Sequence, residues 1–362
     1  MTLAGISEPT RRTDLLAWLR ANLFNTPLNA AATVLIVWFA LMTLPALIDW
    51  TIVNAVIDAQ DRRACLQANV SGACWAMIVD KHRLILFGLY PYDEQWRPLI
   101  VVVLFLALIL ISASRRFWTL WLAPIWGFGL AVIAGLMWGG LLGLSYVPTE
   151  RWGGLPLTLL LAVFAIAIGF PLAVLLALGR RSDMPAIRLL CICYIELIRG
   201  VPLVSLLFMA SVMLPLLLPE GLTIDKLLRA QIALILYTSA YLAEVVRGGL
   251  QSIPRGQYEA AEALGLGYWR VMGFIILPQA MRVVIPSFVN TTISVFKDTS
   301  LVVIIGLYDL MNAAKVAIVD PAWRGSSIEA YVFAAMIYFV FCFSMSRYSQ
   351  ALERHLAKEQ AA

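Results

Sequence analysis

Long apolar runs dominate this chain and limit what it can fold into. Apolar residues make up 61% of the 362 residues and charged residues only 14%, against about half and about a quarter in soluble domains. A soluble core cannot bury that much apolar surface, so the sequence predicts a polytopic membrane protein. Eight stretches are apolar enough to cross a bilayer, although the second and sixth are short: 30–48, 98–112, 118–144, 155–178, 189–214, 230–246, 283–306 and 328–345.

The predicted fold class is all-α, with about eight transmembrane helices. Only helices and closed β-barrels satisfy their backbone polar groups in lipid, and the chain lacks the train of alternating ten-residue strands that a barrel requires. The first run has no A-x-A-like exit and is followed by Asp49 and Trp50, so we do not expect a cleaved signal peptide.

The distribution of Lys and Arg predicts the orientation. Eight spans place both termini on one side, and the segments on that side hold 15 basic residues, against 10 on the other side. Because basic residues concentrate in cytoplasmic loops, the sequence predicts a cytoplasmic lead-in at 1–29, an outer segment at 49–97 and a cytoplasmic tail at 351–362. The net charge of +5 is therefore a topology signal, and it does not indicate nucleic-acid binding.

Cysteine and histidine are sparse. Cys65 and Cys74 both fall in the outer segment, where a disulfide and two unpaired thiols are comparable alternatives. The two histidines, His82 and His355, are too few and too far apart to predict a metal site.

The pattern of spans and motifs changes near Gly153. Residues 30–152 carry three accessory spans, whereas residues 153–350 carry five spans and most of the motif-like residues. No internal repeat stands out, which argues against a secondary transporter built from inverted repeats.

A mixed, Ala- and Gly-bearing segment at 254–278 separates the sixth and seventh spans on the predicted cytoplasmic side. Ser252 can cap a helix, Pro254 suits its first turn, and Gly265 can end it. A second short helix is predicted at 269–276, ended by Pro278. Such a rigid elbow can seat on a soluble partner and transmit its movement into the membrane.

The spacing in this elbow resembles the EAA loop of ABC-importer permeases. Every fixed position of that loop is matched, by Glu259, Ala260, Ala261, Gly265, Ile275, Leu277 and Pro278. Further stretches resemble the polar amino-acid branch of these permeases, among them "IELIRGVPLVSLLF" at 195–208 and "LPQAMRVVIPSFVNTTISVFKDTSLVVIIGLYDL" at 277–310. The three extra N-terminal spans are similar to the longer permease of general L-amino-acid uptake systems.

The resemblance implies a permease subunit in a bacterial inner membrane that imports L-amino acids. It also implies two ATPase subunits, a periplasmic amino-acid-binding protein and a second permease, which we expect to be a non-identical homologue. This chain has no G-x-x-x-x-G-K-[ST] phosphate loop, so we expect ATP and Mg to be bound by the partner ATPase, and no cofactor or catalytic residue here. The alternative is an ion-coupled secondary amino-acid carrier, which would need no ATPase.

Several ionisable residues lie within or near the predicted spans, where each charge is expensive. Glu196 and Arg199 are three positions apart, which favours a structural ion pair or, alternatively, a gate or pathway contact. Glu244 lies one turn before Arg247, where it would snorkel to the interface, brace the elbow or close the inner gate.

The last such group, Lys297, Asp298, Thr299 and Ser300, lies deep in the seventh span. An amino acid offers a carboxylate and an ammonium, which these side chains can complement along a wet pathway. Alternatively, Lys297 and Asp298 neutralise one another or pair with a neighbouring helix. Adjacent residues point about 100° apart on a helix, so both can face one ligand only at a local break.

Overall fold

The computed structural model describes residues 15–69, 71–114, 117, 121–140, 143–219, 221 and 223–361. Residues 1–14 of the predicted lead-in lie outside this set. Within the described ranges, the longer helices are α2 (Pro27–Ile48), α5 (Trp96–Ala113), α6 (Leu122–Trp138), α7 (Gly154–Arg180), α8 (Pro185–Gly200), α11 (Lys226–Ser252), α14 (Leu277–Asp298) and α16 (Ser327–Ala361). The shorter helices are α1 (Leu15–Asn22), α3 (Arg62–Ala68), α4 (Ala76–Phe87), α9 (Leu203–Phe208), α10 (Leu214–Leu217), α12 (Arg255–Ala263), α13 (Tyr268–Arg270) and α15 (Leu310–Ala317). The strand β1 is Tyr308–Asp309.

The prediction of an all-α polytopic membrane protein is confirmed. In the described part of the chain, five helices are long and apolar enough to cross a membrane: Pro27–Val53, Tyr92–Ala113, Gly154–Arg180, Tyr268–Ile305 and Ser327–Arg354. Each of the other three predicted spans also coincides with helix. However, α6 is short, and α11 lies outside the set that meets the same test of length and hydropathy. The count of eight spans therefore stays a prediction.

The fifth predicted span is broken, whereas the sequence predicted one continuous run over 189–214. Helix α8 ends at Gly200, and the helix that begins at Leu203 leaves at an angle of 102°. Pro202, in extended backbone directly before α9, cannot donate a hydrogen bond to α8 and so separates the two helices.

The chain forms two compact units, residues 1–76 and residues 77–362. In the first unit, Cys65 and Cys74 form a disulfide with their Cα atoms 5.8 Å apart. Asp61 caps α3, and the indole of Trp75 donates to the carbonyl of Thr51 across 2.8 Å. The contact boundary at residue 76 differs from the predicted division near Gly153, which concerns the family core and stays a prediction.

The second unit is built on α7, α11 and α14, which pack against one another. Small side chains at the contacts let the backbones approach closely, as in other membrane bundles. A Cβ on Gly169 of α7 would lie 3.2 Å from the side chain of Thr238 on α11. Nearby, Ala173, Ile195, Leu242 and Ala243 form a buried cluster that also holds α8.

Backbone pairing joins two segments at the N-terminal end of α7, which the sequence predicts to lie on the outer side. Residues Gly153 and Gly154 form parallel bridges with Tyr308 and Asp309 of β1. Gly154 has a φ of +65°, and a Cβ there would lie 2.1 Å from the carbonyl oxygen of Leu86, so this position requires glycine. The N-terminus of α7 is thereby joined to the segment that follows the seventh predicted span.

Candidate functional site: an inner elbow and the charges beside it

The elbow is formed by α12, a turn at Gly265, and a helical stretch that runs from Tyr268 into α14. Gly265 has a φ of +70°, the left-handed conformation that ends α12 and that glycine adopts without a steric penalty. Helix α12 begins at Arg255 after Pro254 in extended backbone. Ser252 is the last residue of α11, and its hydroxyl donates to Gly249, so the predicted capping role of Ser252 is wrong.

The second arm of the elbow also differs from the expectation. Residues 269–276 were predicted as a separate helix ended by Pro278. Instead, α13 continues through a π-helical turn at Val271–Ile276 into α14, and Pro278 lies in the first turn of α14. The wider hydrogen-bond spacing of a π turn accommodates the missing N–H of proline. The seventh span is therefore joined directly to the elbow.

A hydrophobic cluster fixes the elbow to the ends of three long helices. Ala261, the buried member of the Glu259–Ala260–Ala261 triplet, belongs to it, while Ile275 and Leu277 pack against it. The buried members come from α7, from α11 and the residue after it, from α12, and from the stretch that runs into α14: Ala177, Leu178, Val246, Leu250, Ile253, Ala261, Val271, Met272, Ile276 and Ala280. A displacement of α12 must therefore move the inner ends of these helices or break the cluster.

Polar contacts hold the base of α12. The hydroxyl of Tyr258 donates to the carbonyl of Leu250 across 3.2 Å, and Arg181 donates to that hydroxyl across 3.0 Å. On the other arm, the side-chain amide of Gln279 donates to Gln257 across 3.2 Å. Helix α12 is thus tied both to α11 and to the start of α14.

The opposite face of the elbow is open. Glu259 and Ala260 are exposed, and a cleft of about 340 Å³ borders them, lined by Arg181, Leu250, Gln251, Ile253, Arg255, Tyr258, Glu259 and Glu262. Large apolar side chains are also left uncovered here, with Leu264 76%, Trp269 71% and Phe274 81% exposed. Leu264 directly follows α12, and this exposed side chain beside the charged cleft is suited to docking a protein.

A network of five charged residues lies beside the elbow. Glu244 of α11 accepts from Arg180 of α7 across 2.7 Å and from Arg247 across 2.8 Å, and Arg199 of α8 lies 3.7 Å away. Glu196 of α8 accepts from the same Arg180 nitrogen across 3.0 Å. The network joins three helices and contains three arginines for two carboxylates.

This arrangement differs from the direct Glu196–Arg199 pair that was one alternative. Although the two residues are three apart on α8, each pairs with a residue of another helix. Glu244 is only 16% exposed and is bound by three arginines, so it links neighbouring helices rather than snorkelling towards the interface. Its role in gating stays a prediction.

The group at 297–300 lies where α14 ends. Lys297 is exposed and Asp298 half-buried; the ion pairs among described residues include neither of them. A 3₁₀ turn begins at Thr299, whose hydroxyl is buried and donates to Phe296 across 2.7 Å. Ser300 is half-buried. The break that would let neighbouring side chains face one ligand is therefore present, and a substrate role for these residues stays a prediction.

Beside the N-terminus of α7, Asp309 is fully buried and caps α15, accepting from the backbone N–H groups of Met311 and Asn312 across 3.0 and 3.2 Å. The hydroxyl of Tyr338 on α16 donates to the same carboxylate across 3.3 Å. Burial raises the pKa of Asp309 to about 6. The hydrogen bonds favour the charged form and lower the pKa, but the effect of burial is larger.

Several of these functional candidates were missed by sequence reasoning. Arg180, Arg181 and Tyr258 attracted no attention because the contacts of Arg180 with Glu244 and of Arg181 with Leu250 and Tyr258 join positions 64 to 77 apart in the chain. Neither periodicity nor spacing reports such pairings. Among the described residues, no group of three or more His, Cys, Asp or Glu side chains is arranged to hold a metal ion.

Comparison with known proteins identifies the family. Residues 169–358 match the model of the "Binding-protein-dependent transport system inner membrane component" family. The chain is 48% identical to the inner membrane amino-acid ABC transporter permease protein YhdY of Escherichia coli, over 98% of both chains. It is 39% identical to the glutamate/glutamine/aspartate/asparagine transport system permease protein BztC of Rhodobacter capsulatus, over 99% of this chain and 97% of that one.

A shorter relative and a solved structure match only part of the chain. The glutamate/aspartate import permease protein GltK of Escherichia coli is 34% identical over 97% of its own length but 59% of this chain. The crystal structure of an amino acid ABC transporter with histidines is 33% identical, covers 55% of this chain and 90% of its own, and has a TM-score of 0.49. With the family model and two full-length relatives in agreement, this chain belongs to the family of binding-protein-dependent transport system inner membrane components.

Proposed function

We propose that this chain is the permease subunit of an ATP-driven ABC importer for L-amino acids in a bacterial inner membrane. The observation that carries the proposal is the elbow. A short helix with the EAA spacing is exposed on one face and packed on the other against the ends of α7, α11 and α14. The names of the two full-length relatives support amino acids as the substrate class.

The elbow couples ATP hydrolysis to transport. A partner ATPase binds ATP and Mg, and its closure displaces α12 from the cytoplasmic side. Since Ala261 and Ile276 lie in one buried cluster, the displacement passes to α11 and α14. Nucleotide at the inner face and the loaded binding protein at the outer face then bias the same inward-to-outward equilibrium.

The charge network around Glu244 is proposed as the inner closure of the pathway. It joins the ends of α7, α8 and α11, whose inner ends must separate or shift when the cytoplasmic side opens. A carboxylate shared by three arginines can exchange partners without leaving a buried charge unpaired. Lys297, Asp298 and Ser300 are proposed to line the pathway further out.

The proposed assembly contains two ATPase subunits, a second and non-identical permease, and a periplasmic binding protein that delivers the amino acid. Both termini of this chain are proposed to be cytoplasmic. Family membership gives no support to the ion-coupled secondary carrier. An ion-coupled carrier would have no ATPase to bind at the exposed face of the elbow.

Purification from the native membrane in a mild detergent, with identification and stoichiometry of every co-purifying protein, tests this proposal. The expected result is two ATPase subunits and one related permease for each copy of this chain. Two copies of this chain with the ATPases would keep the function and overturn the heteromeric assembly. A chain that comes out alone, from extracts in which other ABC complexes survive, would contradict the importer.

A further inference from the structure

The outer part of the second unit contains contacts that neither the elbow nor the charge network explains. Asp80 and Lys81 of α4, in the region predicted to be accessory, contact the loop between α15 and α16. Trp323, in a 3₁₀ turn of that loop, is only 2% exposed, and its indole N–H donates to Asp80 across 2.6 Å. A buried indole that donates to a carboxylate is a fixed, directional contact.

An ion pair lies next to this hydrogen bond. The ammonium of Lys81 is 2.7 Å from Asp320 and 3.1 Å from Asp80. Burial alone would lower the pKa of Lys81, but its hydrogen bonds to Asp320 and Asp80 raise it, and the hydrogen bond from Lys81 lowers the pKa of Asp320. The pair is therefore charged throughout the neutral range. Asp320 also accepts from the backbone N–H of Ala322 across 2.9 Å, which fixes the loop itself.

The end of α4 makes a third contact, through the backbone. Gly88 directly follows α4 and has a φ of +63°; a Cβ there would lie 2.5 Å from the Cα of Gly153. A Cβ on Gly153 would in turn lie 2.7 Å from the carbonyl oxygen of Tyr308. Three backbone segments from distant parts of the chain are thus stacked without side chains between them, at the outer end of α7.

These contacts hold one continuous segment, residues 308–323, which we name the outer rim. It begins where the 3₁₀ turn Thr299–Ile305 ends, so it is separated from the candidate pathway residues Lys297–Ser300 by fewer than ten positions. Asp309, at its start, is bound to α16 through Tyr338. A change in the position or orientation of the rim therefore moves the outer end of the seventh span.

We infer that α4 is a brace for the outer rim, and that Asp80 and Lys81 are positioning residues that couple transport to ATP hydrolysis. This inference rests on the proposed function. With the brace in place, the rim stays fixed to α4 and to the N-terminus of α7, so the outer half rearranges only when the loaded binding protein engages it. Without the brace, the rim reaches other positions unaided, and the ATPase hydrolyses ATP without transporting substrate.

The test uses the full complex in proteoliposomes, with ATP hydrolysis and amino-acid uptake measured on the same sample. The double variant Asp80→Ala, Lys81→Met removes both side-chain contacts. We expect hydrolysis without binding protein to rise about 3-fold and the number of amino acids transported per ATP to fall about 5-fold. A merely structural loss reduces both activities together and leaves this ratio unchanged.

The control is His82→Ala in the same helix, since His82 is exposed and its ring forms a hydrogen bond with the carbonyl of Val79 within α4. It should keep the wild-type ratio. If the double variant also keeps the wild-type ratio while the wild-type complex transports, the brace is refuted and the proposed function stands. Absence of ATP-driven uptake by the wild-type complex refutes the proposed function itself.

A reversible bridge provides a second, independent test. Lys81→Cys and Asp320→Cys are combined with replacement of Cys191, Cys193 and Cys342 by Ser, and the two new thiols are joined by a short bis-methanethiosulfonate reagent, which forms a disulfide bond with each of them. The unbridged protein should be uncoupled and the bridged protein should regain the wild-type ratio, losing it again on reduction. Single-cysteine variants control for reduction of the Cys65–Cys74 disulfide. A bridged protein that is blocked or stays uncoupled would show that the contact must open, and would overturn the brace.

Discussion

Arg180, the last residue of α7, donates to Glu244 of α11 across 2.7 Å, and the same Arg180 nitrogen reaches Glu196 of α8 across 3.0 Å. One guanidinium thus holds carboxylates from two other helices at the C-terminal end of α7, which the sequence predicts to be cytoplasmic. Glu244 is the more enclosed of the two, at 16% exposure against 55% for Glu196. The two carboxylates therefore differ in how much the structure depends on them.

Replacement of these carboxylates should separate their contributions. We expect Glu244→Gln to lower the free energy of unfolding by roughly 1–3 kcal/mol, because three arginines lose a shared, largely buried partner. Glu196→Gln should lower it by less than about 1 kcal/mol, as is usual for an exposed pair. Denaturant unfolding in nanodiscs measures both, and equal effects of the two substitutions would contradict the assigned difference.

Substitution at Gly265 tests the docking face of the elbow. Gly265→Asp should leave the protein inserted and abolish ATP-driven uptake, because no described atom of this chain lies within 4 Å of the new Cβ and the side chain projects into the open space proposed for the ATPase. Gly143→Asp is the matched control, with a φ of +78° and the same open surroundings on the predicted outer side. Uptake and the amount of membrane-inserted protein are measured together. Normal uptake by a well-expressed Gly265→Asp variant would contradict the role of the elbow in docking the ATPase.

Neighbouring alanines of the EAA triplet should respond differently to the same change. Ala261 is buried in the cluster behind α12, so Ala261→Leu should overpack it and lower the free energy of unfolding by about 1–3 kcal/mol. Ala260 is exposed, and Ala260→Leu should change the stability of the isolated chain by less than about 0.5 kcal/mol. Thermal unfolding of the two variants tests this order. A larger effect at position 260 would mean that α12 is rotated from the orientation described.

Asp309 should make stability depend on pH. Burial raises its pKa from the usual 3.8 to about 6, so the folded protein binds this proton more tightly than the unfolded chain does. The contribution is fully present below about pH 4 and is lost as pH rises through 6, up to roughly 3 kcal/mol in total. Asp309→Asn keeps an acceptor for α15 and removes the titration. The difference in unfolding free energy between wild type and variant should therefore change over this range; a constant difference would contradict it.

The membrane class, the helical fold and the elbow were predictable because each leaves a local pattern. Apolar runs of spanning length identify membrane helices, and Gly265 and Pro254 mark the ends of α12 at short range. The EAA spacing is likewise contained in twenty residues.

Features that depend on distant partners were not predictable. Arg180 meets Glu244 across 64 positions, and Trp323 meets Asp80 across 243. Pro278 was expected to end a helix because proline usually does, but a π turn supplied a backbone in which the helix continues. Glu196 and Arg199 have the spacing of a helical pair, yet each pairs with a residue of another helix.

Photo-crosslinking can show whether α12 and the turn at Gly265 dock a separate ATPase. A photoreactive amino acid at Leu264, which is largely exposed on the elbow, is compared with one at Val79, exposed on α4. We expect a covalent product between position 264 and an ATP-binding subunit, and we expect ATP to change its yield. Position 79 should give no such product. The absence of any ATPase product from position 264 in the intact complex would contradict it.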